Sequence, residues 1–203
     1  MKAKWIWAHK KEHVYNETII AQTSINLNQV DSAKVKITAD SYYRLFINKK
    51  WINDGPCRSW PEHFQYDEID VGFYLQKGRN EIKIVARHYG IGDFHGVYKR
   101  PGLLMEMKVK LKSGKTKTLI TDKNWKTGIA KDRIQETAKI AIQMEPSEKV
   151  DARLQGKIRF CPATEICSAH EGPWKNLIPR DVTLLSRKPF GFKRFMGSVQ
   201  LTV

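Results

Sequence analysis

From Ala39 to Asn80 the chain reads ADSYYRLFINKKWINDGPCRSWPEHFQYDEIDVGFYLQKGRN, and this stretch limits the fold more than any other. An apolar strand ends in a turn centred on Asn48, and a Gly55-Pro56 loop crowded with aromatic and ionic residues follows. A second strand then runs into a turn begun by Asp70. Short strands cut by turn residues bury one face each and need a second layer to cover that face. The same alternation recurs over residues 18–27, 33–39, 43–47, 64–69, 81–88, 103–111 and 117–120, most clearly in Lys34-Val35-Lys36-Ile37-Thr38 and Glu81-Ile82-Lys83-Ile84. Alternate side chains of a strand point to opposite faces, so each run has a wet side and a core side. Turn residues separate the runs at Asn28-Gln29-Val30-Asp31, Lys77-Gly78-Arg79-Asn80 and Ser113-Gly114-Lys115. No stretch keeps a long helical period. One helical turn is expected over 70–76, with Asp70 capping amides and Gly78 closing it. The expected fold is all-β, a jelly-roll antiparallel β-sandwich.

The chain of 203 residues is long enough for one sizeable β domain with its own core, and 41% hydrophobic with 28% charged residues is an ordinary globular composition. The start, MKAKWIWAHKKEH, has no apolar run of signal-peptide length, and 18 uncharged apolar residues occur together nowhere. A soluble cytoplasmic protein with no membrane partner is expected. The cysteines, Cys57, Cys161 and Cys167, are three in number with no CxxC spacing, which points to buried reduced thiols rather than to disulfides or zinc. A net charge of +15 raises the question of nucleic acid. Residues 1–100 carry 16 basic and 11 acidic side chains and residues 101–203 carry 20 and 10, so the excess sits mostly in the second half. Its densest part is an alternating strand in which Lys108, Lys110 and Lys112 share one face, a pattern that also protects sheet edges. Nucleic acid therefore ranks below the readings that follow.

The order Asp40, Tyr42-Tyr43, Asn48, Gly55-Pro56, Asp70-Val71, Tyr74-Leu75, Gly78-Arg79-Asn80 resembles the N-terminal, galactose-binding-like domain of bacterial α-L-rhamnosidases. The resemblance extends more thinly to Trp5-Ile6-Trp7, to 121–126 and to 150–153, over roughly 150 residues in all. It implies a jelly-roll accessory module with no catalytic residues of its own. Such a module packs on a catalytic glycosidase domain and has carbohydrate as a further partner. It also implies a sandwich over 1–172 and, over 173–203, a connector or strand toward a following domain, with residues 195–203 as a strand awaiting a partner. A free-standing lectin-like protein is the alternative.

Two loops carry candidate chemistry. Sugars present an apolar ring face and a rim of hydroxyls, so a site needs an aromatic platform beside fixed polar groups. In the loop 51–63, Trp60 offers the platform and Asn53, Asp54, Arg58 and His63 the rim; the competing reading is packing against a neighbouring domain. In the glycine-spaced loop 88–98, Tyr89, Asp93 and His95 join the carbohydrate candidates, with Tyr89, Phe94 and Tyr98 anchoring the loop at the same end of the sandwich. His88, Asp93 and His95 are a weak metal set, since no third His or Cys stands at fixed spacing. Glu68 and Asp70, two apart on a strand and about 7 Å from each other, have the separation of an inverting glycosidase pair. No cofactor is expected, with a structural calcium at Asp67, Glu68 or Asp70 as the alternative.

Overall fold

A computed structural model describes residues 1–92 and 96–186 and, in the tail, Gly191, Arg194, Met196 and Gly197. The strands are β1 Lys4–Trp7, β2 Glu17–Leu27, β3 Val30–Ala39, β4 Tyr42–Ile47, β5 Lys50–Gly55, β6 Gln65–Asp70 and β7 Gly78–His88. Then come β8 Leu103–Leu111, β9 Thr116–Ile120, β10 Lys126–Ile129, β11 Cys161–Pro162, β12 Thr164–Ser168 and β13 Ile178–Pro179. They form two sheets. One runs β12-β1-β8-β3-β6-β13 with β9 also paired to β8, and the other runs β11-β10-β2-β7-β4-β5. Pairing is antiparallel throughout except for β13, which lies parallel to β6. Apart from β4-β5, β8-β9, β10-β11 and β12-β13, which stay within one sheet, successive strands cross between the sheets, as in a jelly-roll sandwich.

The core follows from the alternation. Val35 and Ile37 of β3 and Met105, Met107 and Val109 of β8 face Ile19 and Ala21 of β2, Leu45 and Ile47 of β4, and Ile82 and Ile84 of β7. A second cluster lies on the outside of the first sheet, where Trp5, Leu104, Phe64, Ala169 and Trp174 pack together. Trp5 and Trp174 stack with ring centroids 3.9 Å apart. That cover explains why residues 103–107 of β8 are buried without a break instead of alternating. It draws on the segment expected as a connector: Trp174 is fully buried, and β13 adds to the sheet beside β6. The strand expected at 195–203 lies, but for Met196 and Gly197, outside the described residues.

Several local expectations need correction. β8 is an interior strand between β3 and β1, so its lysines guard no edge. Lys108 pairs with Glu106 at 3.5 Å and Lys110 with Asp31 at 3.2 Å on the wet face. At 70–76 there is only a single 3-10 turn, Gly72–Tyr74; Asp70 Oδ1 does accept from the Gly72 amide at 3.0 Å, but Gly78 opens β7 rather than closing a helix. The cysteines are not buried: Cys161 is exposed on β11, and Cys57 and Cys167 are half-buried. Burial raises the pKa of the Cys57 and Cys167 thiols, which disfavours a nucleophilic thiolate at either. Among the described residues no helix is long and apolar enough to cross a membrane.

Candidate functional site

The first candidate loop is half strand. Residues 50–55 form β5, hairpinned to β4 through Asn48 and Lys49, both at positive φ. The pairing slips between Leu45 and Phe46, so that Leu45 opposes Asn53 and Phe46 opposes Trp51. Ile52 is the extra residue of this bulge, and both Ile52 and Asn53 turn inward. Asn53 donates to the Tyr43 hydroxyl at 2.9 Å and to Asp67 Oδ2 at 3.3 Å. Tyr43 also donates to Asp67, and Arg180 Nε reaches Asp67 Oδ1 at 2.6 Å, an ion pair whose N–H is not aligned for a hydrogen bond. Burial raises the Asp67 pKa above the usual carboxylate range, against the pull of Tyr43 and Arg180; burial and the Asp67 charge push the Tyr43 phenol up. Gly55 is required here, because a Cβ would sit 2.1 Å from Asp67 Oδ2. Gly55→Ala is therefore expected to lower stability by about 1–3 kcal/mol in urea unfolding, and a loss below a few tenths would show that the carboxylate is free to move.

Beyond β5 the chain passes through Cys57 to Ser59 and the 3-10 turn Pro61–His63. It faces the segment after β7 across a cleft of about 200 Å³ at one end of the sandwich, lined by Arg58, Tyr89, Tyr98, Ser41, His88 and Asp40 among others. His88 is buried. Its Nδ1 lies 2.8 Å from Asp40 Oδ2, which also accepts from Ser41 Oγ at 2.9 Å, while Trp174 Nε1 donates to Asp40 Oδ1 at 3.1 Å. An ionised carboxylate only accepts, so Nδ1 carries the proton of that bond. Nε2 has no hydrogen-bond partner among the described residues. The Tyr98 ring stands 6.2 Å from the imidazole, tilted, and its hydroxyl meets His13 Nδ1 at 2.8 Å.

Of the carbohydrate candidates, Arg58 and Tyr89 come together in this cleft. Asp54 lies on the outer face, where Arg44 grips it through two bonds of 2.8 and 3.0 Å. Asn53 is in the buried network. Trp60, 62% exposed, and His63 stand outside the cleft lining. Asp93 and His95 lie outside the described residues, and with them the His88 metal set. The candidate calcium ligands do not converge: Asp67 points into the core, Glu68 points out to Lys34 and Lys36, and Asp70 is turned to the Gly72 amide. Glu68 is held by those lysines below the usual carboxylate range, the opposite of what a general acid needs. Asp40 and Tyr98 were not among the sequence candidates. Asp40 opens the resemblance and Tyr98 is an expected loop anchor, but Asp40 meets its partners His88 and Trp174 only through the fold.

The profile of a family described as the α-L-rhamnosidase N-terminal domain matches residues 28–158. The chain belongs to that family. The matched region is the accessory N-terminal domain of these enzymes and not their catalytic part. A rhamnosidase of glycoside hydrolase family 78 from Bacillus sp. GL1 is 32% identical, with a TM-score of 0.83, over 91% of this chain and 20% of that one. An α-L-rhamnosidase from Streptomyces avermitilis, solved with L-rhamnose, is 18% identical with a TM-score of 0.59, over 87% of this chain and 16% of that one. A lectin from Pleurotus ostreatus in complex with GalNAc is 20% identical with a TM-score of 0.58, over 86% of this chain and 44% of that one. The chain thus spans about a fifth of the Bacillus rhamnosidase. No curated protein is a match.

Proposed function

We propose that this rhamnosidase N-terminal domain acts as a noncatalytic module of an α-L-rhamnosidase-like glycoside hydrolase, packing on the catalytic domain and contacting carbohydrate through the end cleft. The observation that carries the reading is the family match combined with a span of about a fifth of the related enzyme. Packing is supported by a loop whose Ile140, Ile142 and Met144 are 78%, 67% and 44% exposed, beside a cleft that Glu145 also lines. Isolated exposed apolar residues are ordinary, but three on one loop suit a contact with a neighbouring domain. Sugar contact is supported by the cleft's chemistry. Arg58 offers donors, and Tyr89 and Tyr98 offer ring faces. The lectin bound to GalNAc, which shares the fold, favours a free-standing binding protein as the second reading.

A monosaccharide gaining about 0.3 kcal/mol per heavy atom binds in the millimolar range, so the module works chiefly by raising local concentration when tethered. Titration of L-rhamnose into the labelled chain is expected to move the amide signals of His88, Tyr89 and Tyr98. Arg58→Ala should weaken the response several-fold with the fold intact, and Trp60→Ala should leave it unchanged. Signals that stay still up to high millimolar sugar would remove carbohydrate from the cleft and leave domain packing as its role.

A further inference from the structure

Beside the cleft, with which it shares Tyr42, Tyr89 and Glu145, the outer face of the second sheet carries a second arrangement. Tyr42, Arg44 and Phe46 point outward from β4, and Lys83, Val85 and Arg87 from β7. The register sets Tyr42 opposite Arg87 and Phe46 opposite Lys83. An outer sheet face is normally a plain polar surface, whereas here cations lie over aromatic rings. Lys83 Nζ is 5.2 Å from the Phe46 centroid, Arg87 Cζ is 5.3 Å from that of Tyr89, and Arg44 Cζ is 5.2 Å from that of Trp51. The excursion between β10 and β11 folds up along one side. Its Arg133, Glu148 and Ile158 wall a hollow of about 630 Å³. A second hollow, of about 580 Å³, continues it toward Lys49 and Lys126, and the two meet at Phe46 and Lys83. The six steps from Lys83 to Tyr89 already span about 20 Å at strand rise, room for several pyranose rings.

The charges along this groove are unevenly matched. Arg44 is neutralised by Asp54 and Arg133 by Glu148. Lys49, Lys83 and Lys126 line the groove and make no ion pair with a carboxylate among the described residues. Arg87 spends its donors on Asn16 Oδ1 and on the carbonyls of Pro146 and Ser147, all uncharged acceptors, so its charge is likewise uncompensated. Four such cations beside half-buried aromatic faces call for a ligand that brings carboxylates and apolar ring faces together.

We infer that the groove on the outer face of the second sheet binds a uronic-acid-containing oligosaccharide, with Phe46 and Tyr42 under the sugar rings and Lys83 and Lys126 set to meet its carboxylates. The lysines of this site, Lys83 and Lys126, lie outside the lining of the end cleft. The test is titration calorimetry of the full chain with a short oligogalacturonate and with the same oligosaccharide methyl-esterified, which keeps the rings and removes the charge. The acid form is expected to bind, and the ester at least about tenfold more weakly, the loss that goes with a missing charged hydrogen bond. The double variant Lys83→Gln with Lys126→Gln, and separately Phe46→Ala, should each weaken the acid form by about tenfold while circular dichroism stays that of a β-sandwich. Arg58→Ala in the end cleft should change nothing, which keeps this result separate from that of the rhamnose titration. Equal binding of acid and ester, no binding of either, indifference to the lysine pair, or tighter binding of single-stranded poly(dT) would each overturn the inference.

Discussion

Trp174→Ala is expected to lower the unfolding free energy by about 3–5 kcal/mol, a large part of what a domain of this size has in hand. The indole is fully buried, stacks on Trp5 at 3.9 Å, and closes the outside of the first sheet against Leu104 and Phe64. Gly102 shows how close the fit is, because a Cβ there would lie 2.5 Å from the Trp174 ring. Trp174→Phe separates the contributions. It keeps most of the packing and removes only the Nε1 donor to Asp40, so it should cost about 1–2 kcal/mol less than the alanine variant and should disturb the His88 signals that Asp40 orients. Urea unfolding followed by tryptophan fluorescence of Trp5, Trp7 and Trp125 reads both. A loss below about 1 kcal/mol for Trp174→Ala would mean that the tail rests on the sandwich without stabilising it, and that the domain ends near residue 172 as its sequence suggests.

The sheets were legible because their strands obey period two. Val35 and Ile37, or Ile82 and Ile84, can serve a core only from one face of a strand, and the polar residues between them mark the other. What stayed hidden has identifiable causes. β5 ends in Asn53-Asp54-Gly55, residues that strands disfavour, so the segment reads as loop until β4 is there to pair with it. The bulge at Ile52 then reverses the parity, which is why Asn53, a plausible sugar ligand by type, is turned into the buried network instead. β11 and β13 are two residues each and have no period to detect. For the cleft, adjacency in sequence selected Arg58 and Tyr89. The group that shapes its floor joins Asp40 to His88 across 48 positions and to Trp174 across 134. The groove did leave one trace, Tyr42-x-Arg44-x-Phe46, since two aromatics on the wet face of an otherwise alternating strand have no core to fill.

The other large effect is expected at Arg180, which enters from beyond β13 to meet the buried carboxylate of Asp67. Arg180→Ala should cost about 3–5 kcal/mol near neutral pH, because it leaves that carboxylate charged in the interior with only Tyr43 and Asn53 to satisfy it. The size of the effect should depend on pH in a definite sense. Asp67 already has a pKa raised by burial, and losing the guanidinium that opposes the shift raises it further. A carboxyl with a raised folded-state pKa contributes its full stability below the unfolded value of about 4, and loses it as pH climbs through the folded value. Both proteins should therefore be destabilised on going from about pH 4 toward neutrality through this group. The variant should fall further and over a range reaching higher pH, so that the gap between the two narrows in acid. Asp67→Asn in the Arg180→Ala background removes the titrating group, and the gap should then stop varying with pH. Urea midpoints measured across this range decide the matter. A gap that is constant with pH in the single variant would show that Arg180 stabilises the domain by packing its stem, and that the buried charge of Asp67 is carried by its hydrogen bonds alone.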